Sequence, residues 1–144
     1  MTNALTAGWI GAATTNVLHE TLRRTASDAP RVDLLGMQAL AKMLHGKGPK
    51  GDALYVATLA GDLVANSLYF SALGVAPRTH VVRYGLFAGL LAGLGAVALP
   101  APLGLDTKTT SRTTMTKLLT IALYTAGGLA AATALRDPQR PSTS

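Results

Sequence analysis

The segment Tyr84–Leu105, YGLFAGLLAGLGAVALPAPLGL, runs for 22 residues without a charged side chain. A helix rises about 1.5 Å per residue, so roughly 20 residues cross the ~30 Å hydrocarbon layer of a bilayer. We therefore read a membrane span over about 81–101, with Pro100 and Pro102 closing it. Within it Gly85, Gly89 and Gly93 recur every four residues and leave a flat strip for helix packing. Either another helix of the same bundle or a second chain could lie across that strip.

Moving towards the C-terminus, a connector rich in Thr and Ser (Asp106–Lys117) leads to a second apolar stretch over about 116–135, stopped by Arg136. The tail, 137–144, carries Pro138 and Pro141 and reads as flexible. Moving the other way, a short turn around Pro77 and Arg78 separates the first span from another over about 53–73, which a single ionisable residue, Asp62, interrupts. Before it lies the largest polar connector, His19–Asp52, with six Lys or Arg and four acids. An amphipathic helix is expected there over about 30–45, capped by Ser27 or Asp28, ended by Gly46 and lying at the membrane interface. Finally, Met1–Leu18 has no charged side chain and supplies a weaker span over about 3–20. No Lys or Arg precedes it, so it reads as a retained segment rather than a secretory signal.

The fold class that results is all-α: a polytopic membrane protein with four transmembrane helices plus one interfacial amphipathic helix, forming one domain over 1–136. Composition agrees, with 49% hydrophobic and 14% charged residues, but the distribution decides. A water-soluble bundle, the competing reading, would scatter its charges through every helix, whereas here they gather in connectors and tail. The connectors after the first and third spans hold nine Lys or Arg, and the opposite side holds four. By the positive-inside rule both chain ends are expected outside a cell membrane crossed several times.

Cysteine is absent, which excludes disulfides, thiolate nucleophiles and Cys-based metal sites. The net charge of +6 sits beside apolar segments and comes with few aromatics, so the lipid bilayer and its anionic headgroups are the expected partners, not nucleic acid. A homo-oligomer or a membrane-protein partner stays open. No cofactor and no metal is expected. After His19 and Glu20 the position of a second zinc-ligating His is held by Arg23, and no phosphate loop, dinucleotide turn or nucleophile elbow is found.

Two polar constellations could carry chemistry. In the 53–73 span Tyr55, Thr58, Asp62, Asn66 and Tyr69 follow at intervals of three, four, four and three and fall on one helical stripe. An acid at mid-depth needs a wet cavity or a partner, so this stripe is expected to form an intramembrane polar site. Asn16, His19, Glu20 and Arg23 share a face at the end of the first span, and Lys117, Thr120 and Tyr124 share one in the last. Asn16, His19, Glu20, Arg23 and Lys117 would form a cytoplasmic mouth to a vestibule walled by spans one, two and four, with Asp62 at its floor. The bland alternative pairs Asp62 with Arg23 or Lys117 as interhelical glue and makes Tyr55 and Tyr69 interfacial anchors. Three functions fit: a small transporter or channel; a non-catalytic accessory membrane protein; or an enzyme acting on a lipid headgroup, with His19 or Glu20 as base and the Arg residues holding phosphate.

Overall fold

The structure, a computed structural model, describes residues 2–136; the tail expected to be flexible, 137–144, lies outside the described residues. Among the described residues the chain is all-helical: α1 (Ala4–Thr25), α2 (Val32–Met43), α3 (Asp52–Ser71) prolonged by a 3-10 turn (Ala72–Val75), α4 (Val81–Ala98), α5 (Lys108–Ser111) and α6 (Thr114–Leu135).

The helix ends have local causes. The Asn3 side chain accepts from the Thr6 N–H at 2.8 Å and starts α1. This helix runs on past the expected end near residue 20 to Thr25, because Glu20 pairs forward with Arg23 and Arg24 one turn on, beside the helix C-terminus that favours cations. Thr113 caps α6 by accepting from the Thr116 N–H at 3.0 Å. Neither Ser27 nor Asp28 caps α2, whose N-cap is Arg31. Its other end is a Schellman turn, with Gly46 N–H bonding Ala41 O at 3.0 Å and His45 N–H bonding Lys42 O at 3.1 Å. The left-handed residue after the cap is thus His45, at φ 51°, one position before the expected Gly46. The short α5 was not foreseen in the Thr-rich connector, and α4 ends at Ala98, before the expected 101.

Three segments, Asp52–Val75, Val81–Ala98 and Thr114–Leu135, are long and apolar enough to cross a membrane. The sequence pattern predicts four. With 22 residues α1 has the length, but its Thr, Asn, His and Glu side chains dilute its apolar character.

Packing brings small residues to the helix contacts, where they surround a few large buried side chains such as Phe70, Val81 and Leu123, and leaves many large apolar residues outside. Helix α6 lies between α4 and α1, and α1 between α6 and α3. The strip of Gly85, Gly89 and Gly93 faces α6: a Cβ on Gly89 would meet Thr125 Cα at 2.5 Å and one on Gly93 would meet Ile121 Cα at 2.6 Å. On α6 the adjacent Gly127 and Gly128 serve two neighbours, Gly127 abutting Gly11 and Thr15 of α1, and Gly128 abutting Gly85 and Gly89 of α4. Backbones that approach this closely gain dispersion contacts that do not depend on excluding water, which is how helices associate in lipid. Trp9, Val56, Val64, Leu68, Phe87, Leu91 and Leu118 point outward. Many large apolar side chains on the outside, around helix contacts made close by Gly, Ala and Thr, suit a hydrocarbon surround, and we read the chain as a membrane protein.

The two long connectors lock together at one end. The Arg31 N–H donates to Thr109 O at 2.7 Å, the Asp106 N–H to Gln38 Oε1 at 2.9 Å, and Arg112 to Ser27 O at 2.6 Å. Lys42 reaches Leu103 O at 2.5 Å. Helix α2 is thereby tied to the α4–α6 connector, and it also packs on α3, where Gly36 sits against the Thr58 methyl.

Candidate functional site

Between α1, α2 and α3, at the end where the connectors lock, lies a cavity of about 610 Å³. Helix α1 brings Asn16, His19 and Glu20 to its wall, α2 brings Val32 and Asp33, α3 brings Tyr55, Thr58 and Asp62, and α6 contributes Leu123. Ala13, Val17, Leu59 and Leu63 make much of the remaining surface apolar.

These side chains converge because both helices present the right period. Tyr55, Thr58 and Asp62 follow at intervals of three and four on α3, and Asn16, His19 and Glu20 within about one turn on α1. Helix α1 packs along α3 without bulk between them: a Cβ on Gly8 would meet Ser71 N at 3.0 Å. The helices can therefore approach at their far end and leave room near α2.

The mouth is a set of closed charge pairs. Arg31 holds Asp33 through two bonds, Nε to Oδ1 at 2.9 Å and Nη2 to Oδ2 at 2.7 Å. Burial pushes the Asp33 carboxyl up, but these bonds, the Arg31 charge and the Leu34 N–H outweigh it and hold the group below its ordinary value. The same pairing raises the Arg31 guanidinium. Arg23 binds Glu20 at 2.7 and 3.0 Å, and Arg24 binds it at 2.7 Å. Arg23 and Arg31 are thus each engaged by a carboxylate. The Nε2 of His19 stands 3.1 Å from Pro30 O and 3.6 Å from Asp33 Oδ1. Both neighbours are acceptors, so Nε2 carries a ring proton.

Deeper in, Asp62 differs from the acids of the mouth. Among the described residues no Lys, Arg or His lies within 4.0 Å of its carboxylate, so it pairs with neither Arg23 nor Lys117. One turn away Thr58 is 6% exposed and its Oγ1 has no hydrogen-bond partner. Asn66, the next turn on the other side, has a buried Nδ2 with no hydrogen-bond partner among the described residues. Tyr124 of α6 is buried in the core cluster.

The expected stripe is therefore divided. Tyr55, Thr58 and Asp62 face the cavity, Asn66 stands just beyond it, and Tyr69 turns to α4, donating to Ala88 O at 2.8 Å and meeting Phe70 edge-on. Of the expected mouth, Asn16, His19 and Glu20 line the cavity, whereas Arg23 folds onto Glu20 and Lys117 is exposed on α6 outside the lining. Thr120 serves packing, donating to Thr110 O at 3.0 Å and Thr116 O at 2.8 Å. The wall that the sequence pattern does not announce is α2. Its signal was present in Arg31 and Asp33, two residues apart at the start of a helix, but nothing local says that they fold over α1. Among the described residues no three His or carboxylate side chains come together as a metal-binding group.

Compared with protein-family models, curated proteins and solved structures, the chain gives no match.

Proposed function

We propose that this protein is a small integral membrane transporter or channel whose working site is the cavity around Asp62. In this reading α1 is the fourth span, and α2 rides at the interface as part of the cavity wall. The end with His19, Glu20 and Asp33 faces the cytoplasm, since the connectors there carry nine of the thirteen Lys and Arg. Both chain ends then lie outside.

The observation that carries the proposal is the Asp62 carboxylate without a counter-ion among the described residues, set between helices in a cavity. An acid that served only as glue would have a partner, because leaving a charge or its proton unsatisfied in hydrocarbon is costly. An acid that takes up a proton or a cation in turn needs an empty place beside it, and the orphan hydroxyl of Thr58 shares that place.

The test is flux into proteoliposomes. Purified protein should carry protons or a co-supplied solute down a gradient, and Asp62→Asn should bring the rate to the level of empty vesicles while leaving the elution profile unchanged. A rate unaffected by Asp62→Asn removes this residue from the mechanism.

A further inference from the structure

The cavity has a chemistry narrower than that of a general polar vestibule. Glu20 and Asp33 are each held by guanidinium groups, from Arg23 and Arg24 and from Arg31, so their charge is spent inside the wall. Asp62 is the acid of the lining without such a partner, and beside it the Thr58 Oγ1, in a residue 6% exposed, lacks any hydrogen bond. The lining also carries Asn16, His19 and Tyr55, and its apolar part includes Val17, Leu59, Leu63 and Leu123. The space, about 610 Å³, is of the size that takes an organic molecule rather than a single ion.

We propose that the cavity binds a protonated amine carried on an apolar body, with the ammonium between Asp62 and Thr58 and the body against Val17, Leu59, Leu63 and Leu123. This rests on the transporter reading and names the substrate class of the same site. An ammonium donates up to three hydrogen bonds, and a carboxylate and a hydroxyl one turn apart can accept them. A bare divalent cation is a poor fit, because it needs about six oxygen ligands, while Glu20 and Asp33 are already held by arginines and no three His or carboxylate side chains converge among the described residues. An anion would meet the unpaired carboxylate. A neutral apolar molecule would leave Asp62 and Thr58 unsatisfied, which opposes binding. The amine could arrive as a free solute or as the headgroup of an aminophospholipid entering from the bilayer, and the two share this chemistry.

The experiment uses the full chain in phosphatidylcholine nanodiscs at pH 7, with 2-phenylethylamine as probe and 2-phenylethanol as its neutral counterpart, read by equilibrium dialysis. Saturable binding of the amine is expected, weakened about tenfold or more by Asp62→Asn, as loss of a charge-assisted hydrogen bond implies. Thr58→Val, which keeps the side-chain shape, should weaken it several-fold, and it decides between the outcomes if Asp62→Asn fails to fold. The alcohol should bind at least about tenfold more weakly than the amine. Absence of saturable amine binding, equal binding of the alcohol, or indifference to both substitutions overturns the proposal. Replacing part of the phosphatidylcholine with phosphatidylethanolamine separates the sources: competition with the probe assigns the site to the lipid headgroup, and unchanged affinity assigns it to a free amine. Asp62-dependent proton flux without amine binding overturns this inference alone. Amine binding without any flux keeps the binding site and overturns the transport reading.

Discussion

The Nε2 of His19 on α1 stands 3.6 Å from the Asp33 carboxylate on α2, so the first long helix and the connector helix meet through a polar contact at the mouth of the cavity. Arg31 fixes Asp33 in that position with two bonds, and the Asp33 side chain is only 7% exposed. The position of α2 as a wall thus depends on a chain of charge and hydrogen bonding more than on apolar burial, and α2 contributes no fully buried residue.

That chain predicts a pH-dependent stability difference. Asp33→Asn removes the charge that Arg31 holds and should cost about 1 kcal/mol in detergent, at the low end for a charged hydrogen bond because Arg31 is partly in water. The folded Asp33 lies below its ordinary value of 3.8, so its contribution is complete above pH 3.8 and is lost as pH falls through the folded-state value. Thermal melts of wild type and Asp33→Asn should differ at neutral pH and converge in acid. Equal melting at pH 7 would show that the pair holds nothing.

Two glycines in the long helices should respond with opposite signs. A Cβ on Gly89 would strike the α6 backbone at Thr125 Cα, 2.5 Å away, and at Tyr124 O, 2.6 Å away, so Gly89→Ala forces α4 and α6 apart. The expected loss is about 1–3 kcal/mol. A Cβ on Gly61 meets nothing within 4 Å, so Gly61→Ala should stabilise α3 by about 0.5–1 kcal/mol through the lower entropy of the unfolded chain. Melting temperatures of the two variants test both signs together.

Asp62 separates function from stability. Because no cation among the described residues holds it, Asp62→Asn should lower flux without lowering the melting temperature, and Thr58→Val should be neutral or stabilising by up to about 1 kcal/mol since it removes a buried hydroxyl with no partner among them. A drop of several degrees in Asp62→Asn would instead identify interhelical glue, the reading that the sequence left open.

The absence of native cysteine makes the topology directly testable. Lys47, on the α2–α3 connector, and Thr79, on the turn before α4, are both exposed and lie at opposite ends of the helices. In intact cells a membrane-impermeant maleimide should label Thr79→Cys, and Lys47→Cys only after permeabilisation. The reverse pattern would invert the proposed orientation.

Some of this was legible in the residues alone, because it depends on what a short length of chain does by itself. An uncharged run such as Tyr84–Leu105 must satisfy its backbone internally if it enters lipid, so helix and span follow from roughly 20 consecutive residues. The same local rule placed Thr58 and Asp62 on one face and made Gly85, Gly89 and Gly93 a strip. Tertiary structure decided everything that required a neighbour. It turned the glycine strip to α6, moved Tyr69 to Ala88, and brought α2 over α1 as the missing wall. The physical reason is that partners on different helices are set by rotation and crossing of whole helices: a rotation by one residue, about 100°, redirects every side chain, and no local sequence term records that angle.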